Sequence, residues 1–306
     1  MLRDTDVLVV GDANPDLVLR GDVRPRFGQA EQWLTAADLV LAGSAGIVAA
    51  GLARLGVRTA LAAHVGTDAF GDLVLARLAE RGVDTRLVTR DPDVATGLSV
   101  ILSTPQDRAI LTHAAAITRL DPGLLTVDVL AGVRHVHVAS FFLVPGLVRG
   151  TRALFERAHA VGATTSLDTN WDPDGTWAGV AEVLPVTDVL LPNTAELCAL
   201  TGHADLDAAA AAVRAAGPLL AVKAGADGAH GWDADGRHDV PATPVEAVDT
   251  TGAGDSFDVG FLAGRLAGLP FVECLRRGAT AGALSTRAAG GTAAQATAAE
   301  LDAALS

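Results

Sequence analysis

The run Asp249-Thr250-Thr251-Gly252-Ala253-Gly254-Asp255-Ser256-Phe257 constrains this chain more than any other stretch. It follows an extended segment, Val245-Glu246-Ala247-Val248, and leads into an apolar helix pattern at Phe257, Phe261, Leu262 and Leu266. Two glycines two residues apart let backbone N–H groups converge on one point. The helix that follows aims the positive end of its dipole at the same point. Such a turn is a nest for an anion, phosphate above all. Asp255 is the anomaly, because a carboxylate beside bound phosphate is costly unless it does chemistry. The chemistry open to it is to accept a proton from an attacking hydroxyl. A plain helix cap with Asp255 as a first-turn acid is the alternative.

The rest of the chain supplies a sheet for that turn. Asp6-Val7-Leu8-Val9-Val10 reads as a buried strand ending at Gly11. Helix is expected over Ala45–Leu55, strand over Thr59–Val65 and helix over Phe70–Arg81. From about residue 121 strand and helix alternate, with strands at 136–139, 164–167, 189–191 and 219–222 and an alanine-rich helix at Leu206–Ala215. The tail from Phe271 to Leu305 reads as helix interrupted near Gly290-Gly291. This is the pattern of an α/β, three-layer, doubly wound and mainly parallel sheet. Strand-like runs at 17–20, 38–41, 96–103 and 108–112 do not fit the alternation, and Pro105-Gln106-Asp107 is read as the turn between the last two. They predict a small β-sheet lid, from about 14–42 and 96–112, inserted in a single domain spanning 1–306.

Charge and composition exclude several classes. A net charge of −13 lacks the basic footprint of nucleic-acid binding. No apolar run reaches the eighteen or so residues of a membrane helix, and the N-terminus lacks a signal peptide's charge order, so a soluble cytoplasmic protein is expected. Cys198 and Cys274 match no metal spacing. Lys223 is the sole lysine and Val222 precedes it, so no Walker-type Gly-Lys loop exists. No Gly-x-Gly-x-x-Gly follows the first strand, which disfavours a dinucleotide site.

Other constellations carry two readings each. Asn14 and Asp16 follow the first strand and can hydrogen-bond sugar hydroxyls, or form an Asx turn before Pro15. Asn193-Thr194-Ala195-Glu196 can orient waters around Mg2+, or start a helix with a favourable acid. Lys223, ahead of Gly225 and Gly228, can reach a phosphate as a mobile point charge, or be a solvated strand-end lysine. His135 and His137 share one strand face without a third ligand and read as core histidines. Gly254-Asp255-Ser256 with Asp235…His238 has the parts of an esterase in reversed chain order.

The 249–257 run resembles the signature of the ribokinase-like (PfkB) family of carbohydrate and nucleoside kinases. Five further segments are similar to that family's motifs: Gly11–Asp16, Ala42–Gly56, Asp168–Asp172, Asn193–Glu196 and Lys223–Ala229. The resemblance implies ATP-dependent phosphorylation of a hydroxyl, most often primary, on a sugar or sugar-like small molecule. It implies Asp255 as base and the amides of Gly252, Ala253 and Gly254 as an anion hole. Asn14, Asp16 and the hinge Gly43 would hold substrate. Lys223, Gly225, Gly228 and Thr251 would face the nucleotide, and Glu196 with Asn193 would position Mg2+ through water. It also implies a K+ site from Ala288–Thr292 with Asp249 and Thr251; the unprotected edge and apolar face expected of the lid predict, separately, a homodimer through it. The chain departs from the family pattern at Ala42, at Ile47 in place of an asparagine, and at Asp172 in place of an arginine. A nucleoside kinase, or a non-catalytic sugar-binding regulatory protein of the same fold, therefore stays open.

Overall fold

Alternation along β1 (Val7–Val10) sets the architecture: Val7 and Val9 enter one apolar core, Leu8 and Val10 the other. Consecutive side chains of a strand point to opposite faces, so a strand apolar throughout must be covered on both sides. The computed structural model describes residue 2, residues 5–104 and residues 108–306; the predicted turn at 105–107 lies outside them.

Nine strands form the large sheet, in the order β13-β12-β11-β10-β9-β8-β1-β4-β5. They are β1, β4 (Thr59–Gly66), β5 (Asp84–Asp91), β8 (His135–Val138), β9 (Thr164–Leu167), β10 (Val189–Leu190), β11 (Leu219–Lys223), β12 (Ala229–Asp233) and β13 (Gly236–Val240). All neighbours are parallel up to β11, and β12 and β13 add an antiparallel edge. Helices α1 (Ser44–Arg54), α2 (Ala69–Glu80), α6 (Ala253–Leu266) and α7 (Phe271–Ser285) cover the face of Val7 and Val9. Helices α3 (Pro145–Ala160), α4 (Thr194–Thr201) and α5 (Leu206–Arg214) cover the other, and α8 (Ala298–Leu305) closes a small cluster with α7. The doubly wound expectation holds. The strands at 84–91, 229–233 and 236–240 were not read from the sequence.

A second sheet, in the order β3-β2-β6-β7, takes β2 (Asn14–Gly21), β3 (Leu34–Ala42), β6 (Leu98–Ser103) and β7 (Arg108–His113). Strand β2 runs on from β1 after only Gly11-Asp12-Ala13, so Asn14 and Asp16 open β2 itself. The sheet returns to the core at Gly43, whose φ of 78° sits in the left-handed region. A Cβ there would lie 2.8 Å from Ala13 Cα and from Asp12 O, so glycine alone fits this hinge. Ala42, in place of the family's first glycine, is buried without strain of this kind.

Candidate active site

The turn from Asp249 to Gly252 is built by one carboxylate. Asp249 Oδ1 accepts from Thr251 N at 2.9 Å and from Thr251 Oγ1 at 2.8 Å, while Oδ2 accepts from Gly290 N at 2.9 Å. Gly252, at φ 71°, caps α6, and a Cβ on it would lie 2.6 Å from Gly291 Cα. The turn and the 290–291 loop are therefore pressed together, with the α6 N-terminus opening between them and the sheet. The amide of Ala253 donates to Thr250 O at 3.2 Å. Of the three amides expected to converge, that of Ala253 is therefore engaged inside the turn.

Asp255 follows in the first turn of α6 and is 9% exposed. Burial, with the charge of Asp168 next, pushes its carboxyl up to about 7. Ser44, first residue of α1, donates its hydroxyl to Asp255 Oδ1, and Asn170 Nδ2 donates to Ser44 Oγ at 3.3 Å. Asn170 Oδ1 in turn accepts from Ser140 N at 2.7 Å. Ser140 and Asn170 both carry left-handed backbone, at φ 57° and 53°, just past the ends of β8 and β9. Strained residues of this kind persist where the surroundings hold them, and here they aim a hydrogen-bond chain at one carboxylate.

Asn14 and Asp16 are buried and bonded to each other, Nδ2 to Oδ1 at 3.0 Å. Burial first and the neighbouring Asp12 second raise Asp16 to about 7. Asp12 is itself raised by burial and accepts from Ala45 N at 3.2 Å, at the foot of α1. Three carboxyls, Asp12, Asp16 and Asp255, thus crowd the ends of β1 and α6, and the acidity of each is weakened by the same loss of water.

Lys223 is not the mobile charge expected of a strand end. Its ammonium lies 2.6 Å from Asp168 Oδ2 and 2.9 Å from Asp258 Oδ1, with all three side chains buried. Burial opposes its charge, but Asp168 and Asp258 outweigh that and hold it firmly protonated. Burial likewise works against Asp168, yet Lys223 keeps it ionised; Asp258, fully buried on α6, is driven toward the neutral acid. The triad lies under the anion turn, since a Cβ on Gly254 would be 3.7 Å from Lys223 Nζ.

Asn193 and Glu196 form a reciprocal capping box at the start of α4: Asn193 Oδ1 accepts from Glu196 N at 2.9 Å, and Glu196 Oε2 from Asn193 N at 2.8 Å. Those two oxygens are therefore structural, and Glu196 Oε1 is the one left for a ligand. Burial and the nearby Asp168 raise Glu196 to about 7.

Beside the turn lies a largely apolar cavity of about 500 Å³. Lys223, Gly225, Gly228 and Gly254 line it, together with Thr250 rather than Thr251. Thr251 instead faces the small sheet and accepts from Arg108 Nη1 at 2.9 Å.

The two departures in the substrate half have distinct explanations. Ile47 turns away from a polar role: its Cδ1 packs where Cβ atoms on Gly291 and Gly252 would come within 2.5 and 3.2 Å. It fills the gap beneath the anion turn. Asp172 organises its own loop, accepting from Asp174 N, Thr176 N and Oγ1, and Trp177 N at 2.6–3.1 Å. Despite burial, those donors hold it ionised. His135 and His137 both bond Ser166 Oγ at 2.7 Å inside the sheet. His238 pairs with Asp233 across the β12–β13 turn at 2.8 Å, not with Asp235.

Sequence reading missed Ser44, Asp12, Asp258 and Arg108. Asp12 lies in the link between β1 and β2, Arg108 opens β7, Ser44 opens α1 and Asp258 sits within α6, and only the fold brings them to the site. Ser44 alone carried a signal, as a hydroxyl directly after the hinge glycine.

Residues 4–298 match the model of the pfkB family of carbohydrate kinases. A 2-dehydro-3-deoxygluconokinase of Bacillus subtilis is 31% identical over 265 residues, 82% of each chain. An acarbose 7(IV)-phosphotransferase of Actinoplanes sp. is 35% identical over 300 residues, 92% of each. Among solved structures, an E. coli ribokinase II candidate bound to ATP and Mg2+ superposes with a TM-score of 0.89 at 26% identity, over 98% of this chain and 99% of that one.

Proposed function

The chain belongs to the pfkB family of carbohydrate kinases, and on that premise we propose that it transfers a phosphoryl group from ATP to a hydroxyl, a primary one, of a neutral sugar or sugar-like small molecule. The observation that carries this is Asp255, a buried carboxyl poised at about 7 at the mouth of an anion-binding helix start, tethered by Ser44. A base with a pKa near the working pH is both unprotonated often enough and basic enough to take an alcohol proton. Asn14 and Asp16 hold hydroxyls of the acceptor on one side, and the Gly252 and Gly254 amides meet developing phosphoryl charge on the other. The small sheet is a lid that excludes water, which otherwise competes as acceptor.

The donor's adenosine fits the 500 Å³ cavity beside Gly225 and Gly228, whose lining is mainly apolar. Glu196 Oε1 would hold waters of Mg2+, which supplies positive charge to the transferred group. That aid is needed because Lys223 is already committed to two carboxylates. For K+, Asp249 and the carbonyls of the 288–292 loop provide oxygens of the right kind, and activity with K+ against Na+ decides its role.

A neutral acceptor follows from charge. Asp12, Asp16 and Asp255 gather where the acceptor binds, Arg108 as the nearby cation is bonded to Thr251, and Asp172 offers no cation where the family pattern has arginine. ATP turnover over a panel of neutral and anionic sugars and nucleosides, with Asp255→Asn as control, tests the reading. Wild type as inert as the variant on every acceptor, while a sugar still binds, would overturn it in favour of a binding protein.

The lid also carries Trp33, Leu34, Leu39, Ile110 and Leu111 as exposed apolar residues, Trp33 at 86%. Exposed apolar surface on a sheet with open edges favours pairing with a second copy. A homodimer through the lid is the expected state, and a monomer by light scattering at micromolar concentration would refute it.

A further inference from the structure

Most arginines of this acidic protein are paired. Among the described residues, only the side chains of Arg24, Arg119, Arg149 and Arg265 lack a hydrogen bond or ion pair, and two of these four line one groove. The groove, of about 510 Å³, lies between the segment at 118–123 and one face of α3. On α3, Arg149, Ala153 and Arg157 recur at four-residue spacing, which stacks them on one face. Ala153 forms a shallow floor between the two arginines, while Gly146 and Gly150 let the opposite wall approach. A Cβ on Gly150 would lie 2.5 Å from Pro122 Cγ, and one on Gly146 would collide with Leu120 O.

The charges facing this space are Arg119, Arg149 and Arg157 against a single acid, Asp121. Asp121 turns its Oδ1 to Gly123 N at 2.8 Å. Arg119 is also near enough to Asp91 to help hold its carboxyl below the usual range, but Asp91 bonds Asp93 N and His64. Arg157 spends Nε and one Nη on Leu125 O and Pro122 O, at 2.9 and 2.8 Å, and so fixes the wall. The groove also opens near the N-terminal turn of α3, where the helix dipole adds positive potential. Two free guanidinium forks, a third fixed one and a helix start around a cavity of this volume suit a phosphate group, which arginine grips in bidentate fashion.

We propose that this groove, remote from the Asp255 turn in sequence and built from different elements, binds a small phosphate-bearing anion of the size of a sugar phosphate. Its wall has a functional address. Strand β7 of the small sheet returns to the core through residues 115–119, so Arg119 stands where that sheet rejoins the domain. An anion bridging Arg119 and Arg149 ties this return segment to α3. Acceptor and anion then bind with mutual assistance, because any such coupling is reciprocal.

The test uses inorganic phosphate and pyrophosphate as probes, titrated calorimetrically into the full chain at about 0.15 M ionic strength, where surface charges are screened. The anion turn at 249–254 is intact in every protein compared, so differences report the groove. Wild type is expected to bind one more equivalent of pyrophosphate than Arg119→Gln/Arg149→Gln, with the affinity of that site falling about tenfold or more on substitution. Ala153→Glu, which keeps both arginines but puts a carboxylate on the groove floor, is expected to abolish the same equivalent, and serves if the double variant folds poorly. Equal stoichiometry and affinity in wild type and both variants would overturn the site. So would binding seen only at tens of millimolar, the mark of an adventitious ion.

Discussion

Arg108 on β7 donates from Nη1 to Thr251 Oγ1 at 2.9 Å, so a residue of the small sheet is bonded to the turn that caps α6. The same guanidinium is 3.9 Å from Asp249 Oδ1, the oxygen that shapes the turn, and helps to keep Asp16 from rising further. It therefore stands between the acceptor side and the phosphoryl side of the site. A hydrogen bond from a charged donor is worth about 1.5–3 kcal/mol. Arg108→Ala is expected to lower kcat/KM roughly 10- to 100-fold by that measure, with little change in Tm because the side chain is over a third exposed. Steady-state kinetics beside a thermal melt separates the two. A drop in Tm with kcat/KM preserved would make Arg108 merely structural.

Asp255 predicts opposite effects on activity and stability. Its pKa in the fold is about 7 against the ordinary 3.8 of an aspartate, so the native state binds a proton that the unfolded state releases between those values. Stability associated with it is present below the lower value and is lost as pH rises toward 7 and beyond. Asp255→Asn removes that cost. Turnover should fall by about 10²–10⁴ or more with the base gone, while Tm at pH 8 rises and Tm at pH 4 barely moves. Melting curves of both proteins at the two pH values check it; a variant destabilised equally at both would show that burial does not set this carboxyl's acidity.

The sheet was legible in the chain because β1, β4, β10 and β11 carry apolar residues on both faces, while β8 and β9, with His135, His137, Thr165 and Ser166 buried, were placed by the regular strand–helix alternation. Edge strands β5 and β13 escaped because half-buried polar sequences such as Asp84–Asp91 resemble loops, and β12, Ala229–Asp233, because it is short and interrupted by His230 and Gly231. In the site, Gly43, Gly252 and Asp255 could be read because backbone conformation and dipole dictate residue type locally. The partners of Lys223 could not, since Asp168 and Asp258 are 55 and 35 residues away and only the parallel sheet unites them with it. Ile47 was read as lost substrate contact because the space under Gly252 and Gly291 is created by two glycines far along the chain.

Ser44 should tune the base rather than act as one. Its hydroxyl donates to Asp255 and thereby lowers a pKa that burial has raised. Ser44→Ala is expected to move the acidic limb of the kcat/KM profile to higher pH, so that activity lost at pH 7 returns substantially by pH 9. A loss of equal size at every pH would mean that Ser44 serves substrate binding alone.

Lys223 gives the sharpest separation between a structural and a phosphate-binding role. Its ammonium is ion-paired with Asp168 and bonded to Asp258, all with side chains at most 10% exposed, and removing one partner of a buried pair strands the other. Lys223→Met should cost about 3–5 kcal/mol, read as a lower Tm and a lower denaturant midpoint. Adding Asp168→Asn in the same chain removes the stranded charge and should restore part of that loss, because coupled residues do not add. Were the lysine chiefly a phosphate ligand, Lys223→Met would keep its Tm and lose ATP affinity, and the second substitution would rescue nothing. The buried distances of 2.6 and 2.9 Å lead us to expect the first result, with denaturation measured without nucleotide so that ligand binding cannot mask the difference.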